Sequence, residues 1–469
     1  MAREIEPVAS WCVMLDNVLS NGLGGMLGYM IVILNSIAAG HANAEPEEQI
    51  GMLAGYGLAQ SIANVFQVGP GIGLTNAFDT LISQANGAGE TEQCTLILGR
   101  CRALLTLHWL LVVPIALFSK PMLIAIGMDA TSAHYAGVFN RINIIGWWFR
   151  SQMYASRRFL SNLNRPRMNL LITSVAIVIH LLILLAWRFQ LQLDSLAWVT
   201  VLTTCTHSIL LFGYILFCAS HLGMEKHWIV KNSFVFEGWR NFLQFGLPGV
   251  VQVCAELWAL EVFTVIAGYL GTVSMAACTV NYNITTLGYL IASGVSSATS
   301  GLVGEAIGKG HAHAAWKLVL RFALLSVIIW SPMAGILFFG AWRLSAAFSP
   351  QEKVQAALAP LLQLYALALL MDCLNLVAAA TLRSLGRTRL PALTSLSFYY
   401  IFMLPLAYVL AFPARLEVFG MYSAYTATGA GMLLVLLLAV WSTPFQMAVI
   451  ECGERLHGLE ATDEASCES

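Results

Sequence analysis

MNLLITSVAIVIHLLILLAWRF, residues 168–189, settles the fold class. It carries one charge, Arg188, and neither proline nor glycine. As an α-helix it is about 33 Å long at ~1.5 Å per residue, enough to cross the ~30 Å hydrocarbon core of a bilayer. It is apolar all round, where a helix on a soluble core would be apolar along one stripe.

Working outward, comparable stretches recur along the chain. The spans read as membrane helices are 18–40, 50–72, 96–118, 133–157, 168–189, 195–219, 241–268, 273–302, 315–340, 354–382, 390–412 and 417–444. No ten-residue in/out alternation suggests a β-barrel, and open strands would leave unsatisfied edges in lipid. Composition agrees. Of 469 residues, 58% are hydrophobic and 10% are charged, against about 25% charged in soluble chains. A net charge of −1 points away from a nucleic-acid partner. The ten cysteines form no CxxC pair and read as reduced apolar side chains. His311 and His313 have no third ligand nearby, so no metal site is expected. The segment MAREIEPVASW lacks the apolar core of a cleavable signal peptide.

Basic residues orient the helices. With both termini in the cytoplasm, Lys120, Arg141, Arg188, Arg343, Lys353 and Arg415 fall outside, and the other 18 of 24 basic residues fall inside. One helix more or fewer would destroy that bias.

The sequence also repeats. Gly73, Ala77, Leu81, Ala85, Gly87 and Gly89 recur 221 residues later at Gly294, Ala298, Leu302, Ala306, Gly308 and Gly310. Leu160, Leu163, Arg165 and Arg167 recur 222 residues later at Leu382, Leu385, Arg387 and Arg389. Six helices per repeat insert the same way round, so the halves are related by an axis along the membrane normal. The expected organisation is an N-lobe, 1–219; a cytoplasmic linker, 220–240; a C-lobe, 241–444; and a cytoplasmic tail, 445–469, disordered and acidic at its end.

An ionisable group at mid-bilayer depth is costly and requires an explanation. Glu256 and Glu261 lie in VVQVCAELWALEVFTVIAG, residues 250–268, and Asp372 in ALALLMDCLNLVAAA, residues 366–380. Neither run holds a Lys or Arg. Taking a lone carboxyl out of water favours the protonated acid, so such a group can load and release a proton. Glu256 and Glu261 are about 140° apart around the helix and cannot share a narrow face. Asp372 and Asn375 do share one. A satisfied structural hydrogen bond is the alternative for each acid, more so for Glu261. Trp258, Asn281, Asn283, Tyr399 and Tyr400, with Asn375, are the candidates to line a substrate cavity in the C-half; tyrosines near helix ends also serve as interface anchors. Asp79 fits a packing role as well as a functional one.

With these residues in view, the chain resembles the multidrug and toxic compound extrusion (MATE) transporters, in particular their eukaryotic branch. The likeness is carried by Gly40-His41, by NAFDTLISQANGAG from Asn76, by CAELWALE from Cys254 to Glu261, by the glycines from Gly294 to Gly310, and by LRSLGRTR with YYIFMLPLAYVLAF from Leu382 to Phe412. It implies twelve helices in two lobes and alternating-access export of small organic molecules, cations or neutral compounds, in exchange for a coupling cation. Glu256, Asp372 and Glu261 would be the proton-coupling residues. No cofactor is implied; the coupling ion is H+, with Na+ the alternative. The partners are organic substrates and the lipid bilayer. The protein would be a monomer in the plasma membrane or a vacuolar or vesicular membrane. Asn35 stands near where prokaryotic relatives carry an aspartate, which argues against an N-lobe proton site, and NYNITTLGYL lacks the acid of animal members. Two other readings compete. A lipid-linked-precursor flippase would place basic residues in the cavity to pair with pyrophosphate. An intramembrane enzyme would need a nucleophile and base or a metal cluster, and no HxxxD or HExxH pattern occurs.

Overall fold

A computed structural model describes residues 8–42, 45–187, 192–219 and 238–467. The expected linker, 220–240, therefore lies almost wholly outside the described residues. Among those residues the chain is helical throughout, with no strand.

Twelve rods follow one another in the described residues: α1 Trp11–Gly40, α2 46–88, α3 Thr91–Leu117, α4 Ala130–Asn162, α5 Pro166–Ala186, α6 Leu193–Phe217, α7 Trp239–Tyr269, α8 Thr272–Gly308, α9 Ala312–Phe339, α10 Glu352–Ser384, α11 Arg389–Ala411 and α12 Glu417–Ser442. Ten of these are long and apolar enough to cross a membrane on length and composition alone. The other two are α2 and α4. The first is broken into segments, and the second carries Arg150, Arg157 and Arg158 in its last turns. Both run against the opposite lobe, so polarity there faces protein rather than lipid. Elsewhere exposed Leu111, Leu182, Leu185, Ile328 and Leu438 form the apolar exterior that hydrocarbon tolerates.

The residues after Pro444 form a thirteenth helix, α13 Phe445–Cys467, which runs on into the acidic end, 461–467, that the sequence reads as disordered. Its first turns bury Ala448 and Cys452 against the C-lobe, and that apolar anchorage starts the helix.

Two π-helical turns interrupt the rods, Asn64–Val68 in α2 and Phe398–Met403 in α11. Each immediately precedes a segment with a proline in its first turn, Pro70 or Pro405. Proline lacks an N–H and its ring collides with the carbonyl four residues back, and a widened turn absorbs both defects.

Helix pairing repeats with a shift of six. Within lobes, α2 packs on α4 as α8 packs on α10, α4 on α6 as α10 on α12, and α1 on α5 as α7 on α11; between lobes, α1 packs on α8 as α7 packs on α2. The repeat reaches atomic detail where α2 meets α8. A Cβ at Gly87 would stand 2.2 Å from the Glu305 carbonyl oxygen, and one at Gly308 would stand 2.1 Å from that of Gln84. Gln84 and Glu305 are themselves 221 residues apart, so the contact is reciprocal, as a two-fold axis demands. The self-equivalent pair Ser83 and Gly304 marks the axis, a Cβ on Gly304 falling 1.9 Å from Ser83 Oγ. Both helices end just beyond, at the left-handed Gly89 (φ 85°) and Gly310 (φ 79°), so they run to the same side. The second repeat behaves alike: Asn164 (φ 56°) and Gly386 (φ 81°) make equivalent left-handed turns.

With twelve crossing rods, the starts of α1 and α13 and the turns after α2, α4, α8 and α10 share one side, here called the terminal face. The two lobes join in the half nearer that face. Gly22 against Ile291, Gly73 against Val250 and the α2–α8 crossing all lie there. Toward the opposite face the interlobe hydrogen bonds reach as far as Trp258–Val65 and Ser61–Glu261, past the midpoints of α7 and α2.

Candidate functional site

Helices α7, α8, α10, α11 and α12 enclose a cavity in the C-lobe, and two carboxyls reach it: Glu256 from α7 and Asp372 from α10. Gln252, Tyr289, Asn375, Tyr399 and Tyr425 also line it, and no Lys or Arg does. Its volume is about 40 Å³, room for roughly three waters and too little for an organic solute.

The surrounding helices orient the acids. Tyr425 Oη of α12 donates to Asp372 Oδ2 at 2.8 Å. Asn375, one turn along from Asp372, donates from Nδ2 to the Gly429 carbonyl at 3.0 Å, tying α10 to α12. Gly429 leaves space beside the other carboxylate oxygen; a Cβ there would stand 3.5 Å from Asp372 Oδ1. Tyr399 comes from the π-helical turn of α11. The extra residue in that turn shifts the helical phase and brings Tyr399 into the cavity wall.

Of the residues picked out from sequence, Glu256, Asp372, Asn375 and Tyr399 are brought together. The others lie elsewhere. Glu261 faces the N-lobe and accepts from Ser61 Oγ at 3.4 Å. Trp258, 41% exposed, points off the cavity and donates from its indole to the Val65 carbonyl at 3.1 Å. Asn281 is fully buried beside Tyr422, Asn283 is exposed, and Tyr400 is half-buried outside the cavity. Asn281 and Asn283 are 200° apart around α8, so only one can point inward. Tyr289 and Tyr425 line the cavity although no sequence signal marked them. Tyr289 lies eight residues, about 80° of helical phase, from Asn281, and Tyr425 lies in α12, which holds no buried acid to draw attention to it.

In the N-lobe, Asn35 donates from Nδ2 to Thr200 Oγ1 at 3.0 Å. An amide in that position carries no charge for a cation to neutralise.

A second polar site joins the lobes near the terminal face. Asp79 of α2 is the one fully buried carboxylate among the described residues. It pairs with Arg158 of α4 and with Arg383 of α10, whose Nε lies 2.8 Å from Oδ2. Asn162 Nδ2 donates to the other oxygen at 3.3 Å. Arg383 further donates to Gln252 Oε1 at 3.2 Å and to Ser296 Oγ at 3.0 Å, and Arg158 donates to Ser297 Oγ at 2.8 Å. Gln84 Nε2 donates to the Ser384 carbonyl at 2.6 Å, and the Thr80 hydroxyl to that of Arg383. Asn164 of the N-lobe reaches Glu305 of the C-lobe.

Comparison with known proteins returns one family. The MatE family model matches residues 51–185 and 248–409, one stretch in each lobe. Over 424 residues the chain is 28% identical to an uncharacterised transporter of Schizosaccharomyces pombe, covering 89% of this chain and 76% of that one. It is 24% identical over 400 residues to multidrug and toxin extrusion protein 1 of Homo sapiens, covering 85% and 69%. The fold matches that of the eukaryotic MATE transporter AtDTX14 with a TM-score of 0.83 at 21% identity, over 94% of this chain and 98% of that one.

Proposed function

This chain belongs to the MatE family of membrane transporters, and from that premise we propose that it exports small organic cations or neutral molecules in exchange for protons. The observation that carries this reading is the C-lobe cavity, where Glu256 and Asp372 share one small enclosure with no basic residue on its wall. Two carboxyls in one low-dielectric space cannot both ionise cheaply, so the pair titrates as a unit. Glu256 is the principal proton acceptor and Asp372 is coupled to it. The acid-lined wall also speaks against a flippase for pyrophosphate-bearing lipids, which needs cationic partners.

The terminal face is cytoplasmic on this reading, as the excess of basic residues there argues. The lobes are then closed toward the cytoplasm and parted toward the other side. Substrate binds in the interlobe cleft, because the cavity at the acids is too small for it. Protons and substrate exchange because each binds one conformation better than the other.

The test is counterflow and gradient-driven efflux in proteoliposomes, with a panel of organic cations, flavonoids and organic acids and with separate proton and sodium gradients. Glu256→Gln keeps the size and hydrogen bonding of the side chain while fixing its neutral form. It should abolish proton-driven efflux and leave assembly intact. Wild-type efflux with unchanged pH dependence in that variant would sink the proposal, as would wild-type protein that responds to sodium alone.

A further inference from the structure

We propose that Arg383 is a positioning residue through which the proton load of the Glu256 cavity sets the strength of the interlobe latch built on Asp79. This rests on the proton-coupled reading above and adds to it the route by which a proton in one lobe acts on the contact between both.

The argument begins with charge. Two guanidinium groups, Arg158 and Arg383, share the single carboxylate of Asp79. The buried cluster therefore carries one positive charge in excess. Unpaired charge in a low-dielectric interior is costly, and another carboxylate nearby offsets it. Glu256 supplies that offset. Arg383 holds Gln252 at 3.2 Å, and Gln252 lies one turn before Glu256 on the same face of α7, lining the same cavity. Gln252 thus links the Arg383 guanidinium to the wall of the Glu256 cavity.

Among the described residues, Gln252 links Arg383 to the Glu256 side of the cavity, whereas Asp372 is held on the other side by Tyr425. Glu256 faces Asp372 from α10, Tyr289 from α8, Tyr399 from α11 and, through Asp372, Tyr425 from α12. Asp79 faces Arg158, Arg383 and Asn162. The remaining contacts of the two arginines are neutral, namely Ser296, Ser297 and Gln252.

With Glu256 ionised, two cations are matched by Asp79 and Glu256 and the lobes stay latched. Protonation of Glu256 removes the second anion, leaves the excess charge buried, and favours the state in which the latch parts and water reaches the arginines. Loading a proton from the open side thus releases the cytoplasmic side, which is the order an exchanger requires. The latch is positioned to do this because Asp79 belongs to the N-lobe and Arg383 to the C-lobe.

The experiment uses the full chain in lipid nanodiscs with spin labels at Glu92→Cys and His313→Cys, exposed positions at the terminal ends of α3 and α9, and with Cys12 and Cys467 replaced by serine. Interlobe distances are measured in mildly alkaline and mildly acid buffer. The labelled parent should gain a longer distance in acid, its open-to-closed ratio rising at least about fivefold, the low end of usual coupling strengths. Arg383→Gln removes the interlobe ion pair and the group that senses Glu256, leaving Arg158 matched by Asp79 within the N-lobe. Its open-to-closed ratio should change by less than about twofold between the buffers. Asp79→Asn leaves one cation unmatched with Glu256 ionised and two with it protonated, and should be open in both. A merely structural network would leave the acid response of Arg383→Gln in place. Should Arg383→Gln fail to assemble, Gln252→Leu cuts the bridge from the cavity side and should flatten the same response. A parent that does not respond to acid overturns the proton-coupled reading and this proposal together. A responding parent whose Arg383→Gln and Gln252→Leu variants respond equally overturns this proposal alone.

Discussion

Gly87→Ala tests the closed contact between the lobes at its tightest point. The new Cβ would stand 2.2 Å from the Glu305 carbonyl oxygen and 2.9 Å from the carbonyl carbon and Cα. A carbon rests about 3.3 Å from a carbonyl oxygen at its closest, so the two backbones must part by about 1 Å. No rotamer change relieves this, because the obstacles are backbone atoms. Overpacking of that kind costs about 1–3 kcal/mol. The cost applies only while the lobes touch at the terminal face, so it enters the balance between closed and open states, favouring the open one by roughly 5- to 150-fold. Gly308→Ala should match it, since its Cβ meets the Gln84 carbonyl oxygen at 2.1 Å in the reciprocal contact. The double variant should cost less than the sum of the two, because the first substitution already parts the helices. Gly57→Ala, in the same α2 with nothing within 4 Å of its Cβ, is the control. Distances between labels at positions 92 and 313 give the ratio of states directly. If Gly87→Ala and Gly308→Ala show the distribution of Gly57→Ala, the lobes do not meet there and the two-fold contact is wrong.

Two further predictions concern the cavity. Asp372→Asn should remove proton-driven efflux almost as fully as Glu256→Gln, whereas Glu261→Gln should retain much of it, because Glu261 faces Ser61 of the N-lobe rather than the cavity; equal loss in Glu261→Gln would place it in the coupling pair. Tyr425→Phe removes the 2.8 Å donor to Asp372, a bond to an ionisable group worth about 1.5–3 kcal/mol, and should move the pH midpoint of efflux without abolishing it; an unmoved midpoint would show that the tyrosine does not sense the charge.

Much of this arrangement was legible in the sequence, and the boundary of legibility has a physical cause. Long apolar runs are local, so the helices were readable one at a time. The break in α2 was not, because a π-helical turn ahead of Pro70 keeps the rod continuous where the hydropathy falls. Glu256 and Asp372 stood out because a carboxyl in an apolar run is expensive wherever it sits. Which way each polar neighbour faces is a different matter. Trp258 and Glu256 are two residues apart, hence about 200° apart, and the lobe interface claimed the tryptophan. The arginines are the sharpest case. Arg158 and Arg383 count as loop charges when the topology is derived. Both are nevertheless helical and paired with Asp79. Residues 79, 158 and 383 are brought together only by the packing of α2, α4, α8 and α10, and no spacing in the sequence encodes that.

The duplication and the latch then explain each other's limits. Symmetry places Ser83 and Gly304 on the axis and makes the contacts of Gly87 and Gly308 reciprocal. A charge cluster built symmetrically would occur twice. It does not: the repeat partner of Asp79 is Ser300, that of Arg158 is Ala380, and that of Arg383 is Ser161. One cluster rather than two halves the desolvation cost at the interface, and it leaves a single unmatched cation able to respond to a carboxyl elsewhere. The carboxyls are equally one-sided. The C-lobe holds Glu256 and Asp372 in one cavity, while Asn35 of the N-lobe is neutral and bonded to Thr200. The backbone has kept the two-fold geometry of the interlobe contact, and the side chains have lost it. On the proposed proton-coupled reading, a single direction of coupling needs that loss, because two equivalent proton sites acting on two equivalent latches would favour neither lobe as the one that senses the proton.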